Sequence, residues 1–179
     1  MICLKFGKEY LVMRLLIKNN NIEIVYTQKE DLLYVLDAER EQENAKYVGQ
    51  WSFEQHEKAL DDEDTLHLIV KNISGKKIGY IIMKGITNQN DSIEFMRIVI
   101  TDKGYGYGKD AISLIKKWCF EIKHAHRLWL DVRENNVRAQ HVYQSLGFKR
   151  EGILRECIKL QNSYHNLIVM SILFHEYNV

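Results

Sequence analysis

Residues 94–109 read EFMRIVITDKGYGYGK, and the fold turns on how this stretch is read. Phe95, Met96, Ile98, Val99 and Ile100 make a hydrophobic strand, and Asp102-Lys103-Gly104-Tyr105-Gly106-Tyr107-Gly108-Lys109 follows it, with an amphipathic pattern directly behind. Strand, glycine loop and helix in that order suit an anion site. Alternate glycines let a ligand approach the backbone, and the first helical turn offers unpaired N–H groups and the positive end of the helix dipole to phosphate oxygens. The same spacing also serves a tight turn that needs glycine for its backbone angles and binds nothing. The loop alone leaves both readings open.

Behind the loop, Ala111, Ile112, Leu114, Ile115, Trp118, Cys119 and Ile122 recur at helical spacing, while Lys116, Lys117, Glu121 and Lys123 point elsewhere. That helix should pack on the sheet. Upstream, residues 65–70 and 77–83 read as strands paired around a turn at 72–76, and a second polar turn at 85–91 delivers the chain into the opening strand, giving an antiparallel meander. Residues 22–26 make a first strand. Thr27 and Glu30 match a capping box before a helix carrying Leu32, Leu33, Val35 and Leu36, which ends in the charged tract 39–43.

A second capping box, Ser52 with Gln55, opens a short helix holding Glu54, His56 and Glu57; beside Tyr47 and Trp51 these could receive a cationic amine or form a solvated face. The acidic run 61–64 reads as a solvated linker. Downstream, residues 127–132 alternate as a strand, Asn135-Asn136 starts a helix containing Ala139 and Tyr143, and Leu146-Gly147-Phe148 stops it. Residues 148–160 and 164–174 flank a polar turn and form a long hairpin.

At 179 residues, the chain reads as one domain at 21–179, with residues 1–20 an extension of unknown role. A formal net charge of +1 gives no sign of a nucleic-acid or membrane partner, so the partner is small. No apolar run reaches the ~20 residues of a membrane span, and no signal-peptide pattern opens the chain, so the default address is cytoplasmic. Cys3, Cys119 and Cys157 are widely spaced and signal neither a disulfide framework nor zinc; Cys119 and Cys157 read as reduced packing residues. His124 and His126 lack a carboxylate or cysteine partner at ligand spacing and read as surface, so no metal is expected.

Two separated motifs now stand in one chain: Lys103-Gly-Tyr-Gly106-Tyr-Gly108 and, downstream, Asn136-x-x-Ala139-x-x-x-Tyr143-x-x-x-Gly147-Phe148. Together they resemble the GNAT superfamily of acetyl-CoA-dependent N-acetyltransferases, the first its pyrophosphate signature and the second its asparagine, tyrosine and Gly-Phe motif. The match runs from about Ile22 to the C-terminus. It departs at Lys103, where the family more often has arginine or glutamine; lysine keeps the charge but loses the planar fork.

The resemblance implies an α+β fold: a mixed, mostly antiparallel central sheet, splayed between its fourth and fifth strands (residues 94–100 and 127–132) and flanked by helices. Acetyl-CoA would lie with its pyrophosphate on the backbone of Lys103, Gly104, Tyr105, Gly106, Tyr107, Gly108 and Lys109. Its arm would run along Ile98, Val99 and Ile100, and a bulge in that strand would turn a free N–H toward the thioester carbonyl. Asn136 would contact the arm or cap its helix. Tyr143 would protonate the departing thiolate, and Glu94 or Asp131 would take the ammonium proton.

The branch most similar in look holds polyamine and ribosomal-protein N-terminal acetyltransferases. The acceptor implied is therefore a primary amine, either of a small cation near Glu39, Glu41, Glu43, Glu54 and Glu57 or of a peptide N-terminus. Two other readings remain, an aminoglycoside-type N-acetyltransferase and a non-catalytic acyl-CoA sensor; Tyr143 argues against the sensor, which needs no proton donor. Family members often form homodimers, some through their last strands, which makes residues 164–174 the candidate interface.

Overall fold

The computed structural model describes residues 15–160 and 162–177. Eight strands form one sheet: β1 (Leu15–Lys18), β2 (Ile22–Tyr26), β3 (Thr65–Asn72), β4 (Lys77–Lys84), β5 (Ser92–Ile100), β6 (Arg127–Arg133), β7 (Lys149–Leu160) and β8 (Ser163–Leu173), in the order β1-β2-β3-β4-β5-β6-β8-β7. Every neighbouring pair is antiparallel except β5 and β6. Those two are parallel and joined only at Ser92↔Arg127, Ile93↔Leu128 and Glu94↔Trp129, so from Glu94 onward they diverge and the sheet opens into a V. The expected splay between the strands at 94–100 and 127–132 is therefore present.

Each face of the sheet carries a core. On one face lie α4 (Tyr107–Lys117) and α5 (Val137–Ser145); Ala111, Ile112, Ile115 and Tyr143 pack there with Ile81, Phe95, Leu128, Leu130 and Met170. On the other lies α1 (Leu32–Arg40), whose Val35 and Ala38 meet Ile69, Tyr80, Ile82 and Val99. Two short helices follow it, α2 (Gln42–Ala45) and α3 (Phe53–Leu60). The capping box at Ser52 and Gln55 forms as read, with Gln55 N–H donating to Ser52 Oγ at 3.3 Å and Ser52 N–H to Gln55 Oε1 at 2.8 Å.

Several expectations shift. The extension contributes Leu15–Lys18 to the sheet edge as β1; residues 1–14, with Cys3, lie outside the described residues. The capping pair before α1 is Gln28 and Asp31, one residue later than read, because the Thr27 hydroxyl is taken by His67 at 2.9 Å. The acidic run is exposed at 61–63 as expected, and Asp64 at its end has a local role besides: it accepts from Gly85 N–H, Thr87 N–H and Thr87 Oγ and so holds the next turn. Ile122 is 55% exposed while Phe120 is buried, because α4 relaxes into a π-turn at Trp118–Ile122 that advances the helical phase. Cys157 is exposed rather than packed.

Gly79 on β4 marks the tightest strand contact. A Cβ there would run into the Val99 carbonyl oxygen and lie 2.8 Å from Ile100 Cδ1. Because a backbone atom cannot step aside, Gly79→Ala is expected to cost about 1–3 kcal/mol in chemical denaturation, the range for overpacking.

Candidate active site at the sheet split

The V between β5 and β6 collects most of the residues singled out above. Beyond Glu94, the edge of β5 that faces β6 has no strand partner, so the backbone of Ile98, Val99 and Ile100 is free to pair with an extended ligand. At its end the chain turns through Lys103 to Gly106 into α4. Gly104 (φ +92°) and Gly106 (φ +81°) take left-handed backbone angles, and a Cβ at either would meet nothing within 4 Å. The glycines thus make the turn, and the space beside them is open.

Gly106 caps α4 without a side-chain acceptor. Lys109 and Asp110 N–H groups bond back to the Gly106 carbonyl at 2.9 and 3.2 Å, so Lys109, the last residue of the expected run, has its N–H committed within the helix, while those of Gly106, Tyr107 and Gly108 stand ahead of the first intrahelical bonds. Lys103 reaches across the loop to Glu43 at 3.0 Å. Tyr105, 73% exposed, stacks on Tyr107 with centroids 5.6 Å apart. A branched side chain at Gly106 is strained at this φ; Gly106→Val is expected to raise the acetyl-CoA KM at least about tenfold in a steady-state assay, with kcat changed less.

Glu94 stands at the vertex of the V, on the last residue pair joining β5 to β6. It is half-buried, and its pKa is raised, first by burial and then by the charge of Asp131, with Lys84 opposing. Leu128, Leu130 and Val132 of β6 enter the α4 face, so strand alternation puts Asp131 on the α1 face, the same face as Glu94. Burial raises its pKa too. Neither carboxylate closes an ion pair or hydrogen bond among the described residues.

Tyr143 reaches the V from α5. It is 8% exposed, packs edge-on against Phe148 at 5.7 Å, and its pKa is pushed well up by burial and then by Asp131. It is therefore a neutral phenol throughout the physiological range. Asn136 caps α5, its Oδ1 accepting from Ala139 N–H at 3.2 Å, which is the cap alternative of the two expected for it.

The acidic set expected around the acceptor is largely committed elsewhere. Glu39 is 1% exposed and inside the core. Glu43 pairs with Lys103 and Glu57 with Lys29. His56 is fully buried, so neither the amine receptor nor the solvated face describes it. A concavity of about 310 Å³ between Tyr26, Asp62 and His67 lies along β2 and β3, away from the split, and contains none of the candidate residues.

A buried polar cluster on the α1 face escaped the sequence reading. Glu39 Oε1 accepts from Arg97 Nη1 at 2.5 Å and Tyr80 OH at 2.6 Å, and Oε2 accepts from Trp51 N–H at 3.0 Å. Burial alone would raise the Glu39 pKa, but contacts from His56, Tyr80, Arg97 and the Trp51 N–H outweigh it and hold it below the ordinary value. His56 Nε2 is 3.3 Å from Glu39 but out of line for a hydrogen bond. His56 Nδ1 meets His67 Nε2 at 3.0 Å, and burial pushes the His67 pKa down to about 3, so that ring is neutral. One signal was available: Glu39 continues the Leu32, Val35, Leu36 stripe at helical spacing.

The architecture and the sequence agree with known proteins. Spermidine N(1)-acetyltransferase of Escherichia coli (strain K12) is 27% identical over 169 residues, spanning 88% of this chain and 89% of that protein. The Vibrio cholerae protein of the same name is 27% identical over 125 residues, 69% of this chain and 72% of that one. A crystal structure of spermidine N-acetyltransferase from Vibrio cholerae in complex with CoA and spermine shares the fold at TM-score 0.81 and 24% identity, covering 90% of this chain and 100% of that chain. The profile of the acetyltransferase (GNAT) family matches residues 32–148, from the start of α1 through the glycine loop and the V to Phe148. With the split sheet, the glycine-capped helix and Tyr143 all inside that span, this chain belongs to the acetyltransferase (GNAT) family.

Proposed function

We propose that this N-acetyltransferase moves the acetyl group of acetyl-CoA to a primary amine of a polyamine-like cation. The observation that carries the acceptor is the pair Glu94 and Asp131, two half-buried carboxylates on one face of the V: burial raises the proton affinity of both, the charge of Asp131 adds to that of Glu94 against an opposing Lys84, and neither closes an ion pair among the described residues. An ammonium group between them would relieve both the repulsion and the desolvation. The spermidine named for the two relatives has that chemistry.

On this reading the pyrophosphate sits on the N–H groups of Gly106 to Gly108, and the pantetheine arm pairs with the free edge of β5. The ammonium of the acceptor gives its proton to Glu94, and the neutral nitrogen attacks the thioester carbonyl. As the C–N bond forms and the C–S bond breaks, Tyr143 gives its proton to sulfur, and the second proton of the acylated nitrogen passes to the phenolate and restores Tyr143, while Glu94 releases its proton to water. No side chain becomes acylated; the site asks for positioning and for proton transfers that leave both side chains as they began.

The test is the Glu94→Gln/Asp131→Asn variant. Losing one or two charge-assisted contacts should raise the spermidine KM about 10–100-fold while the acetyl-CoA KM stays within about twofold. An unchanged spermidine KM would remove these residues from the acceptor site. Stability should move the opposite way. Carboxylates with raised folded-state pKa values favour folding only while protonated, and that contribution is lost as pH rises through the folded pKa. The amide variant should therefore melt higher than wild type at pH 7, with the gap closing toward about pH 4.

A further inference from the structure

The buried cluster on the α1 face is joined to the V by one feature of β5. On β4, Ile82 pairs with Arg97 and Lys84 with Glu94, so two steps on β4 match three on β5. The extra residue makes a bulge at Phe95 and Met96, between the last residue that pairs with β6 and Arg97. Its consequence shows in the packing: Phe95 enters the α4 core, while Met96 packs toward the α1 core and Arg97, next in sequence, turns to the same side to reach Glu39. Strand alternation is broken at the vertex of the V. On its β6 side, that stretch of backbone has no strand partner, so it presents its polar groups to whatever occupies the split.

A bulge in mid-sheet slips or irons out unless something pins it. Here the pin is the Arg97 guanidinium, 9% exposed and 4.6 Å above the Trp51 ring. Glu39 receives it, and Glu39 is itself fixed by Tyr80 of β4 and by the Trp51 N–H. A Cβ at Gly49 would lie 3.4 Å from Arg97 Nη2, so the loop before α3 closes directly over the guanidinium. His56 of α3 backs Glu39 from 3.3 Å and is held in turn by His67 of β3.

We infer that Arg97 and Glu39 are positioning residues for acetyl transfer: their buried pair locks the bulge so that its backbone donor stands where charge develops on the thioester oxygen. This rests on the acetyl-CoA reading of the V. Neither residue touches the reacting atoms. They act through the backbone of Phe95 and Met96, in a site where a misplacement near 1 Å can cost on the order of 10²-fold in rate.

The experiment compares wild type, Arg97→Lys and the charge-free double variant Glu39→Leu/Arg97→Met by infrared spectroscopy of bound [1-¹³C]acetyl-CoA, with kcat, the acetyl-CoA KM and the Kd of CoA measured alongside. In wild type the bound carbonyl band should lie below that of free acetyl-CoA. In both variants it should move back toward the free position, with kcat down on the order of 10²-fold for the double variant and the CoA Kd within about twofold, since the pyrophosphate loop is untouched. A folded variant, either one, that keeps the wild-type band and a kcat within twofold overturns the inference. Wild type showing no bound band and no thermal shift with acetyl-CoA overturns instead the donor-side reading beneath it. Should the double variant not fold, Arg97→Lys carries the same comparison, because lysine keeps the buried charge and loses only the fork.

Discussion

Replacing Tyr143 with phenylalanine is expected to lower kcat by about 10²-fold or more while leaving CoA affinity within about twofold, the range for loss of a general acid. The phenol is buried against Phe148 and its proton is held tightly, first by desolvation and then by Asp131. The same desolvation raises the proton affinity of a thiolate leaving into the V, so donor and acceptor remain matched as the C–S bond breaks. No hydrogen bond ties the hydroxyl to another described residue, so the melting temperature should scarcely move. The check is steady-state kinetics with CoA titration calorimetry; a Tyr143→Phe enzyme of normal kcat would strip Tyr143 of its role and leave the cofactor site standing.

Glu39→Ala should produce the largest loss of stability. Removing the carboxylate leaves the Arg97 guanidinium, the Tyr80 hydroxyl and the Trp51 N–H without their acceptor inside the core. Breaking one side of a buried ion pair costs about 3–5 kcal/mol, against a total stability of roughly 5–15 kcal/mol for a domain. For a chain of this size that is a fall in melting temperature of roughly 6–20 °C. Removing both charges at once, as in Glu39→Leu/Arg97→Met, should cost markedly less, because no buried charge is then left alone. A Glu39→Ala protein that melts within 2 °C of wild type would show that the cluster carries no such burden.

What could be read from the chain, and what could not, follows from the range of the interactions involved. The β3–β4 hairpin, the glycine loop and the α5 start are local: Asn72, Gly104, Gly106 and Asn136 settle their own backbones within a few residues, and type and spacing announce them. That Tyr143 lies on the helix after Asn136 and Glu94 at the start of the strand before the glycine loop was legible because their neighbours settle those elements locally. Arg97 was passed over inside an apolar strand, since its partner Glu39 lies 58 residues away and only the tertiary fold brings them together. Thr27 illustrates the same competition: its sequence position suits a helix cap, but a histidine from β3 claims the hydroxyl. The exposed Ile122 and buried Phe120 trace to a π-turn, and no regular period foretells where a helix will loosen. The edge strand Leu15–Lys18, four residues long, is too short for periodicity to assign. The dimer interface expected at residues 164–174 meets a topological fact: β8 is paired on both sides, by β6 and β7, so the free edge of the hairpin belongs to β7.

Acetyl-CoA-dependent acetylation of a polyamine amine can be followed as free thiol release from acetyl-CoA with spermidine, an aminoglycoside or a short peptide as acceptor, with the product identified by mass. Thiol release should saturate with spermidine and yield monoacetylspermidine, with little turnover of the other two. Turnover confined to the peptide or the aminoglycoside, or thiol release with no acetylated spermidine, would contradict it.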